Sequence, residues 1–190
     1  PFFWVIFITN MVLGIAGIFI LPPELLAERF KPKGKDLDPF GPVIISFLFM
    51  SINVLAALDC GRWHISDFSN PAAQILGCIA HAVGWIGFTW SMWTNKFFSS
   101  AIRLQPDRRQ SVVAAGPYKF VRHPGYSFAS IAVLGQCIGM GSWLCFIPGL
   151  LVVFDLMYRT LLEERMLRTG LEGYDEYTKK TKHRWVPGVW

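Results

Sequence analysis

Four stretches of this chain carry no Asp, Glu, Lys or Arg: residues 1–23, 39–58, 68–95 and 123–154. A bilayer core of about 30 Å takes roughly 20 apolar helical residues to cross, and each of the first three stretches reaches that length. A soluble helix bundle would scatter charges through such stretches to make outward faces. Charged residues make up 16% of the chain, against about 25% in an ordinary soluble domain. The pattern predicts an all-α, polytopic membrane protein.

Spans are predicted at residues 2–21, 40–58 and 71–93. Pro22 and Pro23 close the first, and Trp90 and Trp93 suit the interface at the end of the third. The fourth stretch is too long for one helix, and GMGS at residues 139–142 interrupts it. It reads as a helical hairpin, a short arm at 126–138 and a longer one from Trp143 to about Met166, which makes five transmembrane helices. Charge asymmetry supports that count. Four basic residues lie in 24–38, Arg62 alone in 59–67, six in 96–122 and six after Glu163. Five spans put the three basic segments on one side, as the positive-inside rule requires. The expected topology has the N-terminus outside and the C-terminus in the cytoplasm. Residues 1–21 lack a basic leader and a small-residue cleavage site, so they read as a span and not a signal peptide. The chain divides into three spans, 1–95, and a region holding the unusual chemistry, 96–190.

Several function classes lack support. No P-loop, GxSxG or HExxH occurs, and no GxGxxG follows a strand in a βαβ unit, so a Rossmann-type cofactor domain is excluded. The net charge of +5 comes from short connectors beside the membrane, which argues for anionic lipids and against nucleic acid. Cys60, Cys78, Cys137 and Cys145 show no CxxC pairing and read as small apolar packing residues. His123 has no second His or Cys at ligand spacing, so no metal site is expected.

Chemistry concentrates in the last third. Asp155, Arg159 and Glu163 fall at i, i+4 and i+8, along one helical face. Charges at such depth are costly, so the stripe is either an ion-pair ladder or the wall of a polar pocket. Gly116-Pro117 and His123-Pro124 break helix, and Pro124 then opens the next one. Tyr118, His123 and Tyr126 thus cluster at an irregular elbow whose backbone groups stay available to a ligand. Arg122 there is expected to anchor to headgroups. The basic tail, with Tyr174, Tyr177, Trp185 and Trp190, reads either as a membrane-surface helix with an anchor or as a lid in which Trp185 and Pro187 fold back.

Three motifs in order, G-x-Y-x-x-x-R-H-P-x-Y at 116–126, R-x-x-x-E-E at 159–164 and Y-x-x-Y-x(7)-W-x-P at 174–187, resemble the integral-membrane isoprenylcysteine carboxyl methyltransferases and the related phospholipid methyltransferases. The resemblance spans roughly residues 103–187 and fits a prokaryotic member. It implies S-adenosylmethionine held without a Rossmann fold by Gln110, Ser111, Val112, Val113, Tyr118, His123, Pro124, Gly125, Tyr126 and Glu163. It also implies that Arg159 faces the carboxylate of a lipidic or prenylated acceptor entering from the bilayer. These residue types suit the roles. A carboxylate such as Glu163 matches the donor's ammonium, and aromatic faces attract a sulfonium by roughly 0.5–2 kcal/mol. Arg159 offers a bidentate fork to a carboxylate. An ionised acceptor needs no base, leaving positioning and exclusion of water to carry catalysis.

Other readings stay open. A phospholipid N-methyltransferase would want a base, for which His123 is the candidate. An NADPH-dependent sterol-type reductase would need cations for a 2′-phosphate, and Arg108-Arg109 offer them. A membrane scaffold would use the charged stripe structurally.

Overall fold

The computed structural model describes residues 2–32 and 34–190; Pro1 and Lys33, the latter one of the basic residues of the first loop, lie outside them. Its helices are α1 (Phe2–Ile20), α2 (Pro23–Phe30), α3 (Gly41–Leu58), α4 (Pro71–Thr94), α5 (Pro124–Met140), α6 (Phe146–Gly170) and α7 (Tyr174–Lys180). Among the described residues no β-strand forms. The helices Phe2–Ile20, Gly41–Trp63 and Pro71–Thr94 are long and apolar enough to cross a membrane. Trp4, Phe47 and Leu76 stay exposed on them, which suits lipid and not water. The chain is an integral membrane protein.

The second span runs further than predicted. A π-helical turn, Asp59–Trp63, prolongs α3. Asp59 had read as the first residue of a polar loop, but it is fully buried. Its carboxylate accepts from Ser66 Oγ and Ser142 Oγ, both at 2.6 Å, and from the backbone N–H groups of Ile65 and Ser66. A charge so fully hydrogen-bonded can leave water, and it ties this turn to the α5–α6 connection.

Pro124 is an early residue of α5, as predicted, and its fixed φ suits the first turn. The α5–α6 break falls at residues 141–145, later than GMGS suggested, where Gly141 takes φ 77°. With 17 residues, α5 is about 26 Å long at 1.5 Å per residue. α4 and α5 approach backbone to backbone. A Cβ on Gly77 would stand 2.3 Å from Gly139 N, and one on Gly84 2.5 Å from Ala132 N. Small residues at such crossings are how membrane helices gain packing without a hydrophobic driving force. Gly84→Leu is expected to separate α4 from α5, seen as loss of monodisperse protein on detergent gel filtration; a normal profile with an unchanged melting temperature would contradict this packing.

Two long-range ties place the connector 95–123. On α2, Glu28 is buried and takes a two-pronged contact from Arg103, Nε–Oε1 3.0 Å and Nη2–Oε2 3.1 Å. At the other end, the tail after α7 folds back onto the elbow. The N–H groups of Arg122 and His123 donate to the carbonyls of His183 and Arg184, each at 2.9 Å. Ser127 Oγ donates to Trp185 O at 2.9 Å, and Trp185 Nε1 donates to Thr160 Oγ1 on α6 at 2.8 Å. The backbone donors of Arg122 and His123 are therefore spent on the tail and not on a ligand, a correction at these two residues to the expectation above. Trp185 is buried in the helix core with Ile52, Val133 and Leu156, so the tail folds back onto the helices and Trp185 does not reach out to lipid.

Candidate functional site

A cavity enclosing about 810 Å³, counted with its open mouth, lies among the connector, the elbow, the end of α6 and α7. Gln110, Ser111, Val112, Val113, Tyr118, His123, Gly125, Tyr126 and Glu163 all line it. Pro124 is not on its wall; it is buried at the start of α5 and sets the position of Gly125.

Local structure explains how these residues converge. Gln105 is almost wholly buried, and its side-chain Nε2 donates to Phe97 O at 2.7 Å while its backbone N–H donates to Gln110 Oε1 at 2.7 Å. That folds the 110–113 strip back over the cavity. Tyr118 sits on a 3-10 turn, Gly116–Lys119, and is pinned from both sides. Asn95 Nδ2 donates to its hydroxyl at 3.3 Å, and Tyr177 Oη donates to its carbonyl at 2.7 Å. Burial pushes the Tyr118 phenol well up from its usual range and that of Tyr177 to about 12. Both therefore stay neutral, aromatic and hydrogen-bonding at physiological pH. His123 and Tyr126 stack with centroids 5.9 Å apart.

The charges on the wall differ in their freedom. Arg103 is held by Glu28. Arg122 is buried, with Nε 2.6 Å from Glu164 Oε1 and Nη1 donating to the carbonyls of Thr181 and Lys182 at 2.8 and 2.7 Å. The expectation that Arg122 reaches lipid headgroups is thus overturned, because a buried carboxylate and two carbonyls already claim it. Glu164 also takes Arg184 and stands near Arg168. Its neighbour Glu163 points the other way, into the cavity. The side chain of Glu163 is 31% exposed, and His123 Nδ1 lies 3.6 Å from its Oε2. The two glutamates of the E-E pair thus separate, one facing a ligand space and one clasping the tail.

A second cavity, about 1,300 Å³ with its opening, descends between α3, α4, α5 and α6. Its lining is mostly apolar, including Ile45, Phe49, Trp85, Val133 and Leu156, with Arg29 and Arg159 at one end. Arg159 is buried; its Nη1 donates to Asp38 Oδ2 and its Nη2 to Ser100 O, each at 2.6 Å. Arg29 lies over the rings of Phe88 and Phe98, 5.5 Å from each centroid. Phe98, Ser99 and Tyr126 border both cavities, and the Tyr126 hydroxyl interacts with Glu163 on one side and Arg159 on the other.

Sequence reasoning missed Asn95, Arg103, Gln105, Tyr174 and Tyr177 on the first wall, and Arg29 on the second. Tyr174 and Tyr177 stood in the quoted tail motif at i, i+3, a helical spacing that pairs them on one face. Arg29 and Arg103 had no local signal. Arg108 folds against Phe97 and donates to Gln105 Oε1 and Lys96 O; neither it nor Arg109 lines the cavity. Among the described residues no group of His, Cys, Asp or Glu is placed to hold a metal ion.

Helical membrane spans thus carry a polar cavity that meets an apolar one at Phe98, Ser99 and Tyr126. The family model described as phospholipid methyltransferase matches residues 72–172, more than half of the chain, including the elbow motif at 116–126 and the α6 motif at 159–164. The chain belongs to the phospholipid methyltransferase family. It is also 28% identical over 132 residues to the cobalt-zinc-cadmium resistance protein CzcN of Cupriavidus metallidurans, covering 67% of this chain and 56% of that protein. The chain thus spans little more than half the length of this curated relative.

Proposed function

We propose that this chain is a membrane methyltransferase that uses S-adenosylmethionine to O-methylate the carboxylate of an isoprenylcysteine-like lipid. The carrying observation is Tyr126, which stands between a polar cavity bearing Glu163 and an apolar cavity bearing Arg159. The wall of the first cavity combines neutral phenols with a carboxylate that no arginine among the described residues claims in an ion pair. When bound, S-adenosylmethionine supplies a methyl group on a positively charged sulfur. Glu163 holds the ammonium at the other end of that molecule. Tyr118 and Tyr126 present aromatic faces to the cation.

On the acceptor side, Arg159 already grips a carboxylate, that of Asp38, and the acceptor's carboxylate takes over that place. The acceptor is ionised and gives up no proton, so no side chain has to act as base. The residues contribute orientation and a dry meeting point. In this reading α5 and α6 cross the bilayer as a hairpin, giving five spans, and the basic segments hold the donor cavity on the cytoplasmic face.

His123 supports a second reading. Its Nε2 is buried without a partner, and a base at that place would serve N-methylation of a phospholipid amine. Tritium-labelled methyl transfer into S-farnesylated cysteine and into phosphatidylethanolamine separates the two. Alkali-labile label on the farnesylated acceptor is the expected result, since methyl esters hydrolyse and N-methyl groups do not. Alkali-stable label confined to the phospholipid would establish the second reading in its place.

A further inference from the structure

Two guanidinium groups line the apolar cavity, those of Arg29 and Arg159, and none of its described lining residues is Asp or Glu. The two are held differently. Arg159 has its donors engaged, Nη1 by Asp38 and Nη2 by Ser100 O. Arg29 rests on the rings of Phe88 and Phe98. An aromatic face fixes a guanidinium by cation–π attraction and leaves the N–H donors in its plane unused. Among the described residues no carboxylate pairs with Arg29, while Tyr126 and Arg159 both bear on its charge. The acidic residues nearby in sequence are already taken. Glu28 holds Arg103 and Ser99, Asp36 accepts from the N–H groups of Asp38 and Ile102, and Asp38 accepts from Arg159 and the N–H of Gly41.

The fold brings these two arginines to one place. α2 docks through Leu25, buried with Leu21 and Met92, and through Glu28. Ser100 Oγ donates to Arg29 O at 2.7 Å, and Ser100 O accepts from Arg159 Nη2 at 2.6 Å. One residue thus joins both. Tyr126, which borders the polar and the apolar cavity, interacts with each arginine. A cation without a counter-ion beside apolar walls is costly, and a like charge next to it adds to the cost. An anion at the junction of the two cavities relieves both.

We propose that Arg29 is the second cation of the acceptor site: Arg159 grips the acceptor's carboxylate, and Arg29 supplies the further positive charge that distinguishes an ionised acceptor from its methyl ester. The inference rests on the reading of this cavity as the acceptor's. A carboxylate there is attracted by both guanidinium groups. The methylated product has lost its charge and with it both attractions, so it gives way to fresh acid. A primary ammonium brought to the same place meets two like charges, which selects against an amine headgroup.

S-farnesyl-N-acetylcysteine and its methyl ester test this, because they share the lipid and differ in charge. Calorimetric titration of the detergent-purified protein is expected to show tighter binding of the acid. Arg29→Gln is expected to weaken the acid by about tenfold or more while leaving the affinities for the ester and for S-adenosylhomocysteine unchanged. A second measurement needs no variant. Phenylglyoxal, which modifies free guanidinium groups, is expected to label Arg29 in the unaltered protein, and the acid to slow that labelling more than the ester does at equal saturation, as read by peptide mass mapping. Equal binding of acid and ester by the unaltered protein overturns the proposal. So does a preference for the acid that survives Arg29→Gln, an Arg29 that the reagent does not reach, or labelling slowed equally by both ligands. The labelling decides the matter if the variant fails to fold. Methyl transfer into the farnesylated acid without these Arg29 effects would sink this inference alone. An Arg29-dependent preference for the acid with no transfer to it would contradict the proposed reaction and leave the anion site standing.

Discussion

Glu163→Ala is expected to abolish binding of S-adenosylhomocysteine, the demethylated product, while leaving the melting temperature close to that of the unaltered protein. The carboxylate faces a cavity, and its contacts, His123 at 3.6 Å and the Tyr126 hydroxyl, lie on that cavity's wall, so little of the helix packing depends on it. A charge-assisted bond to a desolvated ammonium is worth far more, and stranding a buried charge costs about 3–5 kcal/mol, a loss of at least a hundredfold in affinity. Glu164→Ala gives the opposite result. Its carboxylate is buried against Arg122 and also takes Arg184, so removing it strands two guanidinium groups and frees the tail. The melting temperature falls by several degrees, as a loss of a few kcal/mol implies. Calorimetry and thermal unfolding on both variants check this division of labour. Tight product binding by Glu163→Ala would remove Glu163 from the donor site.

Arg159 carries the second large effect. Arg159→Lys is expected to bind S-adenosylhomocysteine normally and to lose methyl transfer by about a hundredfold or more. Lysine keeps the charge but not the planar fork, and a carboxylate held at one point is not aligned for attack. Lysine is preferable to alanine here because Asp38, 14% exposed at the other end of the ion pair, would otherwise be left without a cation. Product affinity and turnover are read on the same preparation. Turnover near that of the unaltered protein would show that Arg159 serves Asp38 structurally and does not touch the acceptor.

Some of this was legible in the chain and some was not, for physical reasons. The cost of charge in a bilayer acts on every residue of a span, so the first three spans stand out, and Pro124 marks the start of α5 because its ring admits only early helical positions. Val112, Tyr118 and Tyr126 share one cavity wall with Glu163, a grouping that the family resemblance had implied. Local patterns cannot show which of two adjacent glutamates faces a ligand. Glu163 and Glu164 differ by one step around α6, and only the return of the tail decides which one meets Arg122. Arg122 itself looked like a headgroup anchor, because an arginine beside a span has that role unless a distant carboxylate claims it. The pair of Glu28 and Arg103 joins residues 75 positions apart and leaves no periodic trace.

Calorimetric titration of the unaltered, detergent-purified protein with S-adenosylhomocysteine and, separately, with NADPH tests the central claim most directly. Saturable binding of S-adenosylhomocysteine with no heat from NADPH is the expected result, since Glu163 offers a carboxylate and Arg108 and Arg109 lie off the cavity wall. Saturable binding of NADPH, with none of S-adenosylhomocysteine, would contradict the account and require new roles for Glu163 and Arg159.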